Sequence, residues 1–163
     1  MRTFIGCDNG VTGSIGVIRD GRALSYTKTP TKSELSYTKT KQYVTRIDVT
    51  KLEEHLGQFK NDEVILALER PLVNPARWKA TQSALRSLEA TIIVFERLQL
   101  PYSYIDSKHW QRELLPEGLD DGKELKSASL QIGKRLFPSI DFTGFLDADG
   151  ILIAEYLRRH YIS

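Results

Sequence analysis

The sequence predicts an α/β protein: a mixed five-stranded sheet flanked by helices, with residues 1–163 as a single domain. Three observations lead there. Three short apolar runs near the N-terminus are joined by tight-turn signals, which makes an antiparallel meander. Two later apolar runs, residues 64–68 and 102–105, alternate with helical periodicity, as strands joined by helical crossovers do. Finally, 163 residues with 40% hydrophobic and 27% charged content suit one domain around one core.

Residues 3–8 form the first run, closed by the turn Asp8-Asn9-Gly10. Residues 13–18 and 23–27 follow, with Asp20-Gly21 between them as a two-residue hairpin signal. The next stretch, residues 28–46, is polar and rich in Lys and Thr. Here Leu24-Ser25-Tyr26-Thr27-Lys28-Thr29 recurs unchanged as Leu35-Ser36-Tyr37-Thr38-Lys39-Thr40. Two copies are too few for a repeat array, which needs at least about three. The second copy reads as a duplicated edge segment or a flexible basic loop, whose lysines and tyrosines could touch a phosphate backbone but read more readily as plainly solvated.

From residue 48 to 59 the pattern turns helical, with Val49, Leu52, Leu56 and Phe59 on one stripe and Asp48 as N-cap. The run 64–68 is apolar on both faces, the mark of a central strand covered by helices. Glu69 ends it, and Pro71 forbids its continuation. A long helix is expected over residues 80–98, with Ala84, Leu88, Ile92 and Phe95 inward. After the strand 102–105 come a short helix around Trp110 and an acidic turn at 117–122. A helix then ends near Phe137-Pro138, and a final one starts near Asp147.

Asp8 and Glu69 each close a strand. If those strands are parallel neighbours, both carboxylates emerge at one edge of the sheet, where open α/β sheets place their ligands. Gly6 and Ala67 precede them on the same side and leave room for the pair. Asp147 and Asp149 begin the last helix, which can lie across that edge. Clustered carboxylates repel unless a cation separates them, and hard oxygen donors suit Mg²⁺ or Mn²⁺. Two such ions in one site can activate a water and stabilise the leaving oxygen of a phosphodiester. Taken singly, an acid at a strand end reads equally well as a solvated residue, and Asp147 as a helix cap.

The run Ile5-Gly6-Cys7-Asp8-Asn9-Gly10-Val11-Thr12-Gly13-Ser14-Ile15-Gly16 resembles the first motif of the RuvC-type Holliday junction resolvases, an RNase H-like family. Ala67-Leu68-Glu69-Arg70 resembles the second, and Ala148-Asp149-Gly150-Ile151-Leu152-Ile153-Ala154 the last. Lys126-Ser127, with Ser129 and Arg135-Leu136-Phe137-Pro138, is similar to the family's lysine-bearing helix. The stretch from Leu100-Pro101-Tyr102 through Lys108 and Trp110 is similar to its penultimate strand and following helix.

The resemblance implies an RNase H-like fold and a metal-dependent nuclease that resolves four-way DNA junctions by paired hydrolysis. It implies Asp8, Glu69 and Asp149 as ligands of two Mg²⁺ or Mn²⁺ ions, with Asp147 as a candidate fourth, and Lys126 as a catalytic lysine. It also implies a homodimer joined through the helix at 80–98. The family places its fourth acid or a histidine where this chain has Phe145 and Leu146, so the fourth ligand stays open between Asp147 and Asp141. The segment after Glu69 corresponds to the part that meets the junction. There Arg77, Trp78, Lys79 and Arg86, with Lys108 further on, offer charge and a stacking surface for distorted DNA.

The net charge of +2 permits nucleic-acid binding without demanding it. Cys7 is the only cysteine, so no intrachain disulfide is possible, and a buried thiol is expected. No apolar stretch approaches the roughly 20 residues of a membrane helix. With the first strand starting so early in the sequence, no leader and a cytoplasmic-type compartment are expected. No membrane and no small-molecule cofactor are expected. The histidines His55, His109 and His160 are scattered and read as surface or packing residues. Asp8 to Gly13 also resembles the first phosphate loop of actin-like ATPases, which need two such domains. Two other readings compete: a less selective RNase H-like nuclease for branched DNA or RNA–DNA hybrids, and a catalytically inert nucleic-acid-binding module.

Overall fold

The computed structural model describes residues 1–161. Its main sheet holds β1 (Arg2–Cys7), β2 (Ser14–Arg19), β3 (Arg22–Lys28), β6 (Glu63–Glu69) and β7 (Tyr102–Ile105). Their spatial order is β3-β2-β1-β6-β7. The meander β1-β2-β3 is antiparallel, and β1, β6 and β7 run parallel, so the sheet is mixed as the sequence predicts. The turn from β2 to β3 places Asp20 at φ 47° and Gly21 at φ 78°. Both values are left-handed, which two-residue hairpins of this twist require.

Two elements depart from the sequence expectation. β4 (Thr31–Leu35) and β5 (Tyr43–Ile47) pair antiparallel as a separate two-stranded hairpin. The second LSYTKT copy begins at the end of β4 and forms the hairpin tip, whereas the first copy lies largely in β3. Polar strands of this kind carry no alternating apolar signal, so periodicity cannot reveal them.

The helices are α1 (Val49–Gly57), α2 (Trp78–Arg97), α3 (Ser107–Leu114), α4 (Gly122–Leu136) and α5 (Asp149–Tyr161). Asp48 caps α1 by accepting from the Lys51 amide at 3.1 Å. A single 3-10 turn, Pro75–Arg77, leads into α2. The buried stripe of α2 differs from the expected one: Thr81, Ser87, Thr91, Val94 and Phe95 are buried, and Ala84, Leu88 and Ile92 are only half-buried. The helix is rotated so that small hydroxyl residues lie on its buried face. Trp78, Leu85 and Ile93 consequently share one exposed face, at spacings close to whole turns.

Alternation along the strands divides the core into two layers. Phe4, Ile18 and Ala67 face α3, α4 and α5, together with Trp110, Phe142 and Ile151. Ile5, Cys7, Val17, Leu66 and Leu68 face α1 and α2, together with Leu52, Leu56 and Phe95. Cys7 is buried, as expected.

The contact that fixes the site is that of α5 on β1 and β2. Gly6 and Gly16 present bare backbone to this helix. A Cβ on Gly6 would stand 2.1 Å from the Gly150 carbonyl oxygen, and one on Gly16 would stand 2.2 Å from Ile151 Cα. Neither neighbour is a side chain that can swing away. Gly16→Ala should therefore cost about 3 kcal/mol or more, the upper end for overpacking. Gly57→Ala, whose new methyl meets only Leu98 Cδ2 at 3.6 Å, should be neutral or slightly stabilising. Urea denaturation midpoints of the two variants check the contrast; equal midpoints would show that α5 is free to shift.

Candidate active site

β1 and β6 pair with Gly6 opposite Ala67 and Cys7 opposite Leu68. The next residues, Asp8 and Glu69, leave the same edge, and alternation turns both toward the α5 layer. α5 begins at Asp149, and Asp147 lies two residues before it. Carboxylate oxygens of Asp8, Asp147 and Asp149 all come within 4.8 Å of one another. Glu69 lies close enough to act on the charge of Asp8 but outside that trio. Its Oε2 accepts from Trp110 Nε1 at 2.7 Å. Asp141 is not part of the cluster: its carboxylate accepts from the Thr143 amide at 2.9 Å.

Each carboxylate is held from a different element. Ser129 on α4 donates to Asp149 Oδ1 and accepts from the Ala148 amide at 3.0 Å. Asp147 is buried; its Oδ1 accepts from the Asp149 amide at 3.3 Å and its Oδ2 from Lys126 Nζ at 3.1 Å. The Tyr26 hydroxyl stands 2.9 Å from Ser14 Oγ, 3.0 Å from the Asp147 carbonyl and 3.2 Å from Asp147 Oδ1. Ser14 Oγ in turn accepts from the Gly150 amide at 3.1 Å. Asp147 thus both accepts from the first amide of the helix and belongs to the acid trio. Phe145 stacks against Tyr26 with ring centroids 4.5 Å apart, and Leu146 is exposed. That packing accounts for an aromatic residue at 145; nothing in the structure explains the leucine at 146.

Burial and mutual repulsion raise the proton affinity of this cluster. Asp8 is held well above the carboxylate range by burial first, then by Glu69, Asp149 and Asp147. Glu69 is pushed up to about 7, chiefly by burial, against the opposing Trp110 hydrogen bond. Asp149 is pushed up to about 6 by burial and by Asp147. Partial burial works against the charge of Lys126, but the bond and charge of Asp147 outweigh it and raise its pKa. One ammonium against four acids leaves a deficit of positive charge. The donor set is wholly hard oxygen, which fits a divalent cation of the Mg²⁺ or Mn²⁺ class.

Two open grooves flank the acids. One is lined by Gly13, Ser14, Lys28, Lys126, Phe145 and Asp147. The other is lined by Glu69, Arg70, Asp106, Lys108, His109 and Arg112. Of the residues expected to meet DNA, Lys108 stands in the second groove. Arg77, Trp78 and Lys79 are exposed where α2 begins, Arg86 is half-buried on α2, and none of the four lines either groove. Sequence reasoning missed Tyr26 and Ser14 as supports of the cluster, and Lys28, Arg70 and Arg112 as groove cations. Ser14 had one available signal, its shared face with Gly16 in β2. His55 and His160 make packing and surface contacts, with Phe59 and with Glu113.

No protein-family model matches the chain, and no curated protein matches it. Solved structures do. Thermus thermophilus RuvC in complex with a Holliday junction substrate superposes with a TM-score of 0.61 at 12% identity, covering 99% of this chain and 96% of that one. A second Thermus thermophilus RuvC structure gives a TM-score of 0.54 at 14% identity, covering 97% and 96%. The architecture is therefore RNase H-like. Within that class the chain has the fold of the RuvC resolvases over nearly its whole length.

The raised carboxylate pKa values set a sign for stability. The folded protein holds these protons more tightly than the unfolded chain, so without metal the cluster's contribution falls as pH rises from about 4 through 7. A cation bound by the ionised acids reverses that loss. Mg²⁺ should raise the melting temperature at pH 8 and do little at pH 5. Asp149→Asn should melt higher than the parent in chelator at pH 8 and gain less from Mg²⁺. Identical melting curves with and without Mg²⁺ at pH 8 would exclude a bound cation.

Proposed function

We propose that this chain is a metal-dependent, structure-selective endodeoxyribonuclease that resolves four-way DNA junctions, with residues 1–163 acting as one nuclease domain. The observation that carries the reading is the meeting of Asp8, Asp147 and Asp149, beside Glu69, at one sheet edge between two cation-rimmed grooves. It is supported by a fold shared with a resolvase solved on its junction.

Asp8, Asp149 and Asp147, with Glu69, would hold the cations. Bound there, divalent cations supply an activated water and stabilise the leaving oxygen of the phosphodiester. The protein's own groups do the rest. Ser129, Ser14 and Tyr26 fix the acids from α4, β2 and β3, so little reorganisation is needed when substrate arrives. Lys126, half-exposed at the rim of one groove, offers its ammonium to charge developing on the phosphate. Lys28 on one side, and Arg70, Lys108 and Arg112 on the other, meet backbone phosphates. Arg77, Trp78, Lys79 and Arg86 extend that surface along α2.

Two symmetric nicks call for two sites related by a twofold axis, hence a homodimer. The exposed Trp78, Leu85 and Ile93 on α2 give such a pair an apolar stripe to bury. Trp78 is shared between this role and base stacking.

The decisive assay compares synthetic four-way junctions, flaps, linear duplex and RNA–DNA hybrids, with Mg²⁺ and with chelator. Junctions should be cut in pairs and only with the metal. Equal cutting of linear duplex would leave a nuclease without junction selectivity, and a preference for hybrids would favour an RNase H-type activity.

Two variants separate chemistry from binding. Asp149→Asn should abolish cleavage and leave junction binding largely intact, since binding rests on basic and aromatic groups. Lys126→Ala should slow single-turnover cleavage by about 100-fold or more while changing affinity little. Parental rates in both would remove these residues from the reaction.

A further inference from the structure

The basic excess of this protein is concentrated in one place. Residues 28–46 hold Lys28, Lys32, Lys39, Lys41 and Arg46 against the single acid Glu34, a net charge of +4. The whole chain carries +2, so the remainder is net negative. That segment is the β4–β5 hairpin with its approach from β3, and the acid site and its grooves use only Lys28 of it.

The stem and the tip of the hairpin differ in how their charge is balanced. Lys32 and Arg46 face each other across the strands, a like-charge pair that is unfavourable alone. Glu34 bridges them, at 2.6 Å to Lys32 and 2.7 Å to Arg46. Its carboxylate is thereby committed to the stem. Among the described residues, Lys39 and Lys41 at the tip have no ion-pair partner. Tyr37 and Tyr43 flank them, 91% and 74% exposed.

The tip is also preformed. The Ser36 amide donates to the Gln42 carbonyl at 2.6 Å, and the Thr38 hydroxyl to the Thr40 carbonyl at 3.0 Å. At its base, the Thr29 amide donates to the carbonyl of Gly13, in the loop that follows Asp8, and the Asp48 amide donates to the Pro30 carbonyl. Lys28 at this base lines the same groove as Lys126 and Asp147. Five-residue strands reach about 17 Å. The hairpin therefore springs from the rim of the acid site, and its length holds the unneutralised cations of the tip about 17 Å from that base.

We propose that the β4–β5 hairpin is a second DNA contact, a finger that grips the phosphate backbone of a duplex arm away from the cut site; this rests on the junction-nuclease reading above. Ammonium groups, hydroxyls and tyrosine OH groups are the set that meets phosphate and sugar oxygens without reading sequence. A protein partner would call for buried apolar anchors, and the tip between Ser36 and Gln42 has none besides the rim tyrosines.

The test is fluorescence anisotropy with a labelled four-way junction, in Ca²⁺ and again in EDTA, over a range of salt. Lys39→Ala/Lys41→Ala should weaken binding about tenfold near physiological salt. It should also lower the slope of log affinity against log salt by about 1.8, at roughly 0.9 for each phosphate no longer neutralised. Lys39→Glu/Lys41→Glu should weaken binding further, with the parental melting temperature, because both positions are exposed. Lys60→Ala/Lys134→Ala removes the same charge from exposed positions elsewhere and should keep the parental slope. Parental affinity and slope in the tip variant would overturn the proposal, as would an equal weakening in the control. A parental protein that binds no DNA would instead sink the nuclease reading, and the finger with it.

Discussion

The contact of α5 with the bare backbone of Gly6 and Gly16 is the constraint on which the rest of this structure depends. A helix normally stands off a sheet by the length of its side chains. Here two glycines remove that spacing, and Gly150 on the helix does the same toward Ser14. The approach brings the start of α5 to the edge where β1 and β6 end. Asp149 reaches Asp8 only because nothing larger than hydrogen lies between the backbones. Packing and chemistry therefore share the same atoms, and the small residues of β1 and β2 are as much a part of the site as its acids.

The two ends of the sheet handle acidic charge in opposite ways. At the far end, Asp62 accepts from the buried Thr3 hydroxyl at 2.7 Å and from Arg19 at 2.5 Å. These partners hold its carboxyl below the usual range, and the charge is settled within the protein. At the near end, four acids share Lys126 and a few neutral donors, and three of them are pushed upward. An evolved structure tolerates such repulsion where function needs it. The first arrangement stabilises the fold; the second leaves room for positive charge from outside.

Much of this is legible in the sequence, because strand ends and glycine turns are local signals. Asp8 and Glu69 stand where apolar runs stop, and Asp149 stands in a recognisable motif. Their meeting requires β1 and β6 to pair in parallel, and they do. What the sequence cannot show arises from long-range contacts. Tyr26 reads as one residue of a repeated hexapeptide, yet it is buried against Asp147, whereas its counterpart Tyr37 is almost fully exposed. Identical local sequence forms an edge strand of the main sheet in one place and a hairpin tip in the other. Local propensity cannot distinguish them; what each copy packs against does. The rotation of α2 is hidden for a related reason, since Thr and Ser look polar in a periodicity count but fill close contacts well.

The position of α5 along the chain has a consequence for how the protein comes into being. A ribosome releases Asp8 and Glu69 long before Asp149, at about 5–20 residues per second. For several seconds the nascent chain carries two of its acids and an uncovered sheet face. The acid cluster cannot assemble in that interval, because the helix that closes it has not yet been made. Synthesis order thus acts as a safety catch: the four acids can meet only once the chain has the helix that completes its core.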